Sequence, residues 1–345
     1  MIMSPIKQFE SIPPFPQDVP VADMRTISLA NLRSGDRVTI ETLMASCREL
    51  GFFMLDLQGD PMGGLMIEET DQLFEVGKEL MSLPEEEKYQ YLHDIPKSFL
   101  GFKPRGHAKI ETDEPDRFEW FNIGQDGLMG NAPLQPVPPL IHSHITLLQS
   151  FLKHGQDIVA LISTVLASGL GLPPDSFTRL QSPTKVSGTV VRFIKAFASP
   201  DPEDLRTSMI HHTDFGTITL LANVLGGLQI LAPGKDANVN DSWLWVRPQP
   251  GCFIVNLGDA MVQWTGGLLR SNVHRISYAP GQQRFVDRYS LAILVRPERD
   301  ASMKRLVGEG VDSDLTAWEW EVKQAMALRH GKAMVESKGG KDARE

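Results

Sequence analysis

Apolar residues recur at helical spacing through the first half of the chain and gather into short β-type runs in the second. Leu43, Met44, Cys47 and Leu50 mark a helix over residues 40–50 that stops at Gly51, after which residues 52–57 read as a short strand. Leu65, Met66, Leu73, Val76 and Leu80 lie near a 3.6-residue period over 64–81, and Leu83-Pro84-Glu85-Glu86-Glu87-Lys88 starts a further helix. Ile145, Leu148, Phe151, Leu152, Ile158, Ile162, Val165 and Leu166 predict a long helix ended by Gly169 and Gly171. Pro13, Pro14, Pro16 and Pro20 give residues 1–25 the character of an extended arm, so 26–185 is expected to be a mainly helical region. From Val186 onward β-branched and aromatic runs cover 189–197, 217–222, 228–231, 243–246, 252–256, 273–278 and 289–295, with Gly and Pro between them. That texture suggests an antiparallel sandwich or barrel over 186–297. Trp318, Trp320, Val322, Ala325 and Met326 predict a last helix over 315–328 within a C-terminal segment 298–331, and the Lys/Gly/Glu-rich tail 332–345 is expected to fray. The expected fold class is α+β, a helical N-terminal half packed on a β-sandwich with a C-terminal helix.

Composition narrows the function classes. In 345 residues, 34 Lys and Arg against 43 Asp and Glu give a formal net charge of −9, and no basic block stands out. The chain lacks the electrostatic footprint of a phosphate-backbone binder, so no nucleic-acid partner is expected. Two cysteines, Cys47 and Cys252, are too few for a disulfide framework and are not spaced as a zinc knuckle, which makes a reducing cytoplasm the default location. The weakly polar stretch 158–172 carries Ser163, Ser168, Gly169 and Gly171 and is shorter than the roughly 20 residues a bilayer span needs. It reads as a core helix, and with no secretory signal in the first ten residues no membrane partner is expected. Oligomeric state is not legible.

Most of the nine histidines have bland readings, but His212-Thr213-Asp214 does not. His212 and Asp214 alternate within what reads as an extended run and so project to one side, while His211 points to the other. A third ligand type, His274, follows 60 residues after Asp214 (274 − 214) on another expected strand. Two imidazoles and a carboxylate on one face of a metal leave its other positions open, the arrangement of non-haem Fe(II) oxygenases.

With its neighbours, this constellation resembles the isopenicillin N synthase-like family of 2-oxoglutarate/Fe(II)-dependent dioxygenases. The matching segments run in family order: His212-Thr213-Asp214-Phe215-Gly216 with Thr219-Leu220-Leu221, Gly227-Leu228-Gln229-Ile230-Leu231, Val255-Asn256-Leu257-Gly258-Asp259 with Trp264-Thr265, Ser271 to Arg275, and Arg288-Tyr289-Ser290. Glu49-Leu50-Gly51-Phe52-Phe53, the Leu83 to Lys88 run and Glu119-Trp120-Phe121-Asn122 extend it across residues 26–297. The resemblance implies a distorted double-stranded β-helix, or jelly roll, and Fe(II) held by His212, Asp214 and His274. It also implies 2-oxoglutarate as cosubstrate, gripped at its far carboxylate by Arg288 and Ser290, with O2 as oxidant and a small-molecule metabolite of specialised metabolism as the prime substrate.

The chain departs from the family pattern in two places. Arg192-Phe193-Ile194-Lys195-Ala196-Phe197 stands where many relatives carry an Asn and a Tyr near the cosubstrate. Fourteen positions (288 − 274) separate His274 from Arg288, and Arg284 lies between them without a Ser two residues on. Phe193, Phe215, Trp264, Trp120 and Trp318 are candidates for the substrate pocket, with core packing as the competing role, and Trp318 and Trp320 suit either a lid or a docked helix. Lys195 suits an acidic substrate or plain solvation, and Gly258-Asp259 a turn ahead of the next strand. Two rival functions stay open, an Fe(II)/O2 oxidase that uses no 2-oxoglutarate and a non-catalytic jelly-roll binding module. A serine hydrolase is disfavoured because no Gly-x-Ser-x-Gly elbow is present.

Overall fold

The computed structural model describes residues 7–95, 97–110, 112–329 and 335–340. In chain order the strands are β1 Thr26–Ser28, β2 Phe52–Asp56, β3 Gly101–Lys103, β4 Phe118–Gly124, β5 Val190–Ala196, β6 Met209–His212, β7 Ile218–Asn223, β8 Leu228–Leu231, β9 Trp243–Trp245, β10 Cys252–Leu257, β11 Arg270–Ser271, β12 His274–Ile276, β13 Arg288–Val295 and β14 Lys338–Gly339. The helices are α1 Leu29–Arg33, α2 Arg37–Glu49, α3 Pro61–Ser82, α4 Glu85–Tyr89, α5 Gln125–Met129, α6 Pro139–Ser143, α7 Ile145–Gly169, α8 Asp259–Trp264 and α9 Ala317–Arg329. Local chemistry sets their starts: the Asp36 carboxylate accepts from Thr39 N at 2.8 Å ahead of α2, and Asp60 accepts from Met62 N and Gly63 N ahead of α3, where Pro61 takes the first helical position.

Eight strands form one sheet in the order β1-β2-β10-β7-β13-β5-β4-β3, antiparallel apart from the β1–β2 pair. A smaller sheet, β6-β12-β8-β9, faces it, giving an α+β fold around a mixed, unclosed double-stranded β-helix. Strand alternation sorts the core into two layers. Val191 and Phe193 of β5, Phe253, Val255 and Leu257 of β10, and Leu291, Ile293 and Val295 of β13 pack with Leu73, Leu80, Phe151 and Ile158 of α3 and α7. The opposite parity faces inward: Phe52, Met54, Ala196 and Ile254 meet Leu228, Ile230 and Ile276 of the smaller sheet. Each fully buried aliphatic or aromatic side chain stabilises the fold by about 1.5–3 kcal/mol. Helix α7 lies so close to the sheet that a Cβ on Gly155 would overlap Ile293 Cδ1.

All seven expected runs form strands close to their predicted limits, and three structural results differ from the sequence reading. The first half supplies the expected strand β2 to the main sheet, and also β1, β3 and β4, which the sequence reading did not anticipate. Strand β4 hides its period because Glu119 and Asn122 are buried in it, matched by Lys88 Nζ at 3.1 Å and Arg192 Nε at 2.7 Å. Gly258-Asp259 opens α8 rather than a turn into a strand. Of the tail expected to fray, 332–345, residues 332–334 and 341–345 lie outside the described residues, while within 335–340 Lys338–Gly339 pairs with Arg270–Ser271. No helix among the described residues is long and apolar enough to cross a membrane; α7, which carries most of 158–172, buries Ile158, Ile162 and Leu166 in the core.

Candidate active site

Three polar side chains converge at the mouth between the sheets. His212 ends β6 and His274 begins β12, and the two are cross-strand partners with ring centroids 4.3 Å apart. Asp214 lies beyond β6 in the loop toward β7, not on an extended strand as the alternation argument supposed, yet it does reach the same side as His212. That loop is clasped by the start of α8: Asp259 N donates to Asp214 O at 2.7 Å and Ala260 N to Gly216 O at 3.1 Å. Gly258 is required by this close approach, since a Cβ there would overlap Gly216 O. His211 takes the opposite side, its ring 6.0 Å from that of Trp243.

Nε2 of each histidine lies 3.9 Å from Asp214 Oδ1, and the three ligand atoms fall within 4.8 Å of one another. His212 Nδ1 is 2.9 Å from Ile210 O and His274 Nδ1 is 3.2 Å from Asn272 O. A carbonyl only accepts, so each Nδ1 carries the proton and each Nε2 offers its lone pair. Burial and the neighbouring His274 push His212 down to about 4, which keeps it neutral at physiological pH. Burial opposes the charge on Asp214, but His274, His212 and hydrogen bonds from Asn256 and Thr219 outweigh it and bring the carboxyl down to about 2. Thr219 Oγ1 and Asn256 Nδ2 both donate to Asp214 Oδ2, at 2.7 and 2.8 Å, leaving Oδ1 turned to the histidines. Two imidazoles that turn Nε2 inward and one ionised carboxylate, with their free atoms on one side, suit Fe(II).

The cavity that holds these three is walled by Phe52, Ile194, Met209, Leu221, Leu228 and Ile276, with Arg192 and Arg288 as its cations. Arg288 is 3 % exposed; its Nε donates to Gly226 O at 2.9 Å, while its Nη2 and the Ser290 Oγ are buried with no partner. Burial lowers the Arg288 guanidinium to about 10, still cationic at neutral pH. A buried cation with an unused donor calls for an anion, and a fork of this kind matches a carboxylate.

The profile of the 2OG-Fe(II) oxygenase superfamily matches residues 187–297, and that of the non-haem dioxygenase N-terminal region, described from morphine synthesis, matches 19–137. The chain belongs to the 2OG-Fe(II) oxygenase superfamily. It is an Fe(II)- and 2-oxoglutarate-dependent oxygenase. It is similar to a 2-oxoglutarate-dependent dioxygenase of Aspergillus fumigatus, 29% identical over 313 residues that cover 85% of this chain and 80% of that protein. It is also similar to the 2-oxoglutarate-dependent dioxygenase gloE of Glarea lozoyensis, at 27% over 313 residues, 90% of this chain and 88% of that one. A full-length Neurospora crassa protein crystallised with alpha-KG shares the fold, with a TM-score of 0.72 and 21% identity over 92% of this chain and all (100%) of that one.

The aromatic candidates of this oxygenase lie elsewhere. Phe193 has the outward parity of β5 and packs against α3, where a Cβ on Gly77 would meet its Cδ1 at 2.9 Å. Trp264 is fully buried, stacked on Phe177 at 6.1 Å with Nε1 donating to Ser302 O, and Phe215 packs on the same main core. Trp120 belongs to the inner layer and meets the cavity through Arg192, whose guanidinium lies 4.8 Å from its ring. Trp318 rests on Arg299 and Phe99, away from the metal-ligand cluster. Trp320 is in the main core and Glu321 forms a buried ion pair with Arg296, so α9 is docked in this structure. Lys195 pairs with Asp287 at 3.0 Å, and Arg284 lies outside the cavity against Phe285. Sequence reasoning missed Thr219, Asn256 and Arg192; the first two sit inside the segments that carried the resemblance, and inward parity on β5 is the signal that picks Arg192 over Phe193.

Proposed function

We propose that this oxygenase oxidises a small organic metabolite of specialised metabolism, with His212, Asp214 and His274 as the Fe(II) ligands and Arg288 with Ser290 as the 2-oxoglutarate anchor. The observation that carries the assignment is the buried, half-partnered guanidinium of Arg288 in the same chamber as the three ligand side chains. Bound Fe(II) supplies the centre at which O2 and 2-oxoglutarate react to give the oxidant, succinate and CO2. The protein's part is to hold and aim. Thr219 and Asn256 fix one oxygen of Asp214 so that the other faces the metal position. Arg288 and Ser290, two apart on β13 and therefore on one face, converge on a carboxylate. The apolar wall from Phe52 to Ile276 keeps water from the oxidant.

Small-molecule substrates are supported by proteins of this fold: the Neurospora crassa protein was also crystallised with alpha-KG and thymine, JOX2 with 2OG, Fe and JA, and a rice structure is a dioxygenase for auxin oxidation. A reducing cytoplasm suits the free, buried Cys47 and Cys252. The test is a metabolite screen for substrate-stimulated succinate release, with mass spectrometry of the products. Substrate oxidation without succinate would replace this reading by the oxidase that spares 2-oxoglutarate.

A further inference from the structure

Arg192 is the cation of the chamber that neither the iron nor the cosubstrate anchor employs. It projects from β5 on the inward parity and shares the cavity with His212, Asp214, His274 and Arg288. Its Nε donates to Asn122 Oδ1 at 2.7 Å, and Asn122 is tied in turn to Phe99 O through its Nδ2 at 2.7 Å. With one edge hydrogen-bonded and the guanidinium 4.8 Å from the Trp120 ring centroid, the fork is held in one orientation. Among the described residues no carboxylate is in direct contact with Arg192, the charge of Asp214 acting on it only across the cavity, and no acceptor takes its Nη1 or Nη2. The cations around it are matched: Lys88 with Glu119, Lys103 with Asp116, Lys195 with Asp287 and Arg296 with Glu321.

Register separates the two arginines. Arg192 faces Ala292 on β13, four positions from Arg288 (292 − 288), so their backbones stand about 13 Å apart along the sheet. Arg288 is committed to the cosubstrate, which leaves Arg192 for the other reactant. The remaining wall is apolar, and an anion moved into such surroundings without a partner is strongly disfavoured. We propose that Arg192 is the specificity-determining residue for the prime substrate, and that this substrate is an apolar small molecule bearing a carboxylate, which the two Nη groups of Arg192 clamp. The inference rests on the reading of the chamber as the Fe(II)/2-oxoglutarate site.

The experiment uses the full chain loaded anaerobically with Fe(II) and 2-oxoglutarate. Equilibrium dialysis measures binding of phenylacetate, cinnamate and octanoate, each beside its methyl ester. At least one acid is expected to bind at least about tenfold more tightly than its ester, the scale of a charge-assisted hydrogen bond. Arg192→Gln should remove that preference while the 2-oxoglutarate Kd stays within about threefold of wild type. Arg192→Lys, which keeps the charge but loses the fork, should weaken the acid at least about threefold and leave the ester unchanged. Acids that bind no better than their esters overturn the proposal. So does a preference that survives either substitution, and so does an Arg192→Gln variant that loses 2-oxoglutarate as strongly as the acid. Should Arg192→Gln fail to fold, Arg192→Lys decides on its own criterion. Failure of the wild-type chain to bind 2-oxoglutarate would instead remove the reading of the chamber, so the two failures are told apart.

Discussion

Replacing Arg288 by Met should weaken ligand binding while leaving apo stability nearly unchanged. The side chain has one protein hydrogen bond, Nε to Gly226 O, and a buried Nη2 with no partner. An unsatisfied buried polar group costs about 1–3 kcal/mol, whereas the single bond to Gly226 contributes about 1 kcal/mol. Removing the side chain relieves Nη2 but strands the buried Gly226 carbonyl at a similar cost, so the apo variant should stay within about 1 kcal/mol of wild type. Hydrogen bonds to a charged carboxylate contribute about 1.5–3 kcal/mol, which is roughly ten- to a hundredfold in affinity for 2-oxoglutarate. At a concentration 100 times the wild-type Kd, 2-oxoglutarate stabilises the native state by about 2.7 kcal/mol. A ten- to hundredfold weaker variant retains only about 0.4–1.4 kcal/mol of that. Chemical denaturation of the anaerobic Fe(II) form with and without 2-oxoglutarate measures both quantities. Arg284→Met is the control, because that side chain rests on Phe285 outside the cavity. The reasoning is refuted if Arg288→Met keeps the full ligand stabilisation, or if it and Arg284→Met lose equally little; the second result would point to the oxidase alternative.

His212→Ala, Asp214→Ala and His274→Ala should each abolish turnover and lose tight Fe(II) binding in an anaerobic titration, while His211→Ala, whose ring packs by Trp243, keeps it; the reverse ranking of His211 and His212 would overturn the register. The folded-state value of His212, lowered to about 4 from 6.5, means the unfolded chain binds the extra proton first. Stability of the metal-free chain from this group is then fully present above about pH 6.5 and lost as pH falls toward 4, with a slope of up to one proton that His212→Asn should remove in urea melts at stepped pH. Lys338 caps the buried Asp259 carboxylate, whose Oδ2 also accepts from Thr213 Oγ1 at 3.1 Å. Lys338→Ala should cost about 1–3 kcal/mol in chemical denaturation, because it strands a buried charge. Adding Asp259→Asn should recover part of the loss, and a double variant less stable than the single one would contradict the pairing.

The sequence made the strand runs of the second half legible because each is a short β-branched or aromatic run set off by Gly and Pro, and it exposed the ligand set because His212, Asp214 and His274 have the right donor types inside segments that resemble the family. It hid whatever depends on compensation between distant residues. Glu119 and Asn122 make β4 look too polar for a buried strand until Lys88 and Arg192 are brought to them across 31 and 70 residues. Helix α8 spans only Asp259–Trp264, too few residues for a helical period to show, and its start is held by the backbone of the Asp214 loop rather than by a side-chain cap. Phe193 was a natural pocket candidate by residue type, but residue type does not say which face of β5 is inward; the inter-strand register does.

That register also explains why the ligands lie where they do. His212 and His274 belong to the smaller sheet, whereas Asp214 is fastened by Thr219 and Asn256, which are partners across β7 and β10 of the larger one. The metal position is thus the place where the two sheets meet in polar contact at the end of an otherwise apolar interlayer. Each imidazole is oriented by a carbonyl two residues before it, a local bond that needs no distant partner, and only the carboxylate depends on the opposite sheet. A change that slides one sheet against the other would therefore leave both histidine rings correctly turned and still dismantle the site, by drawing Asp214 away from them.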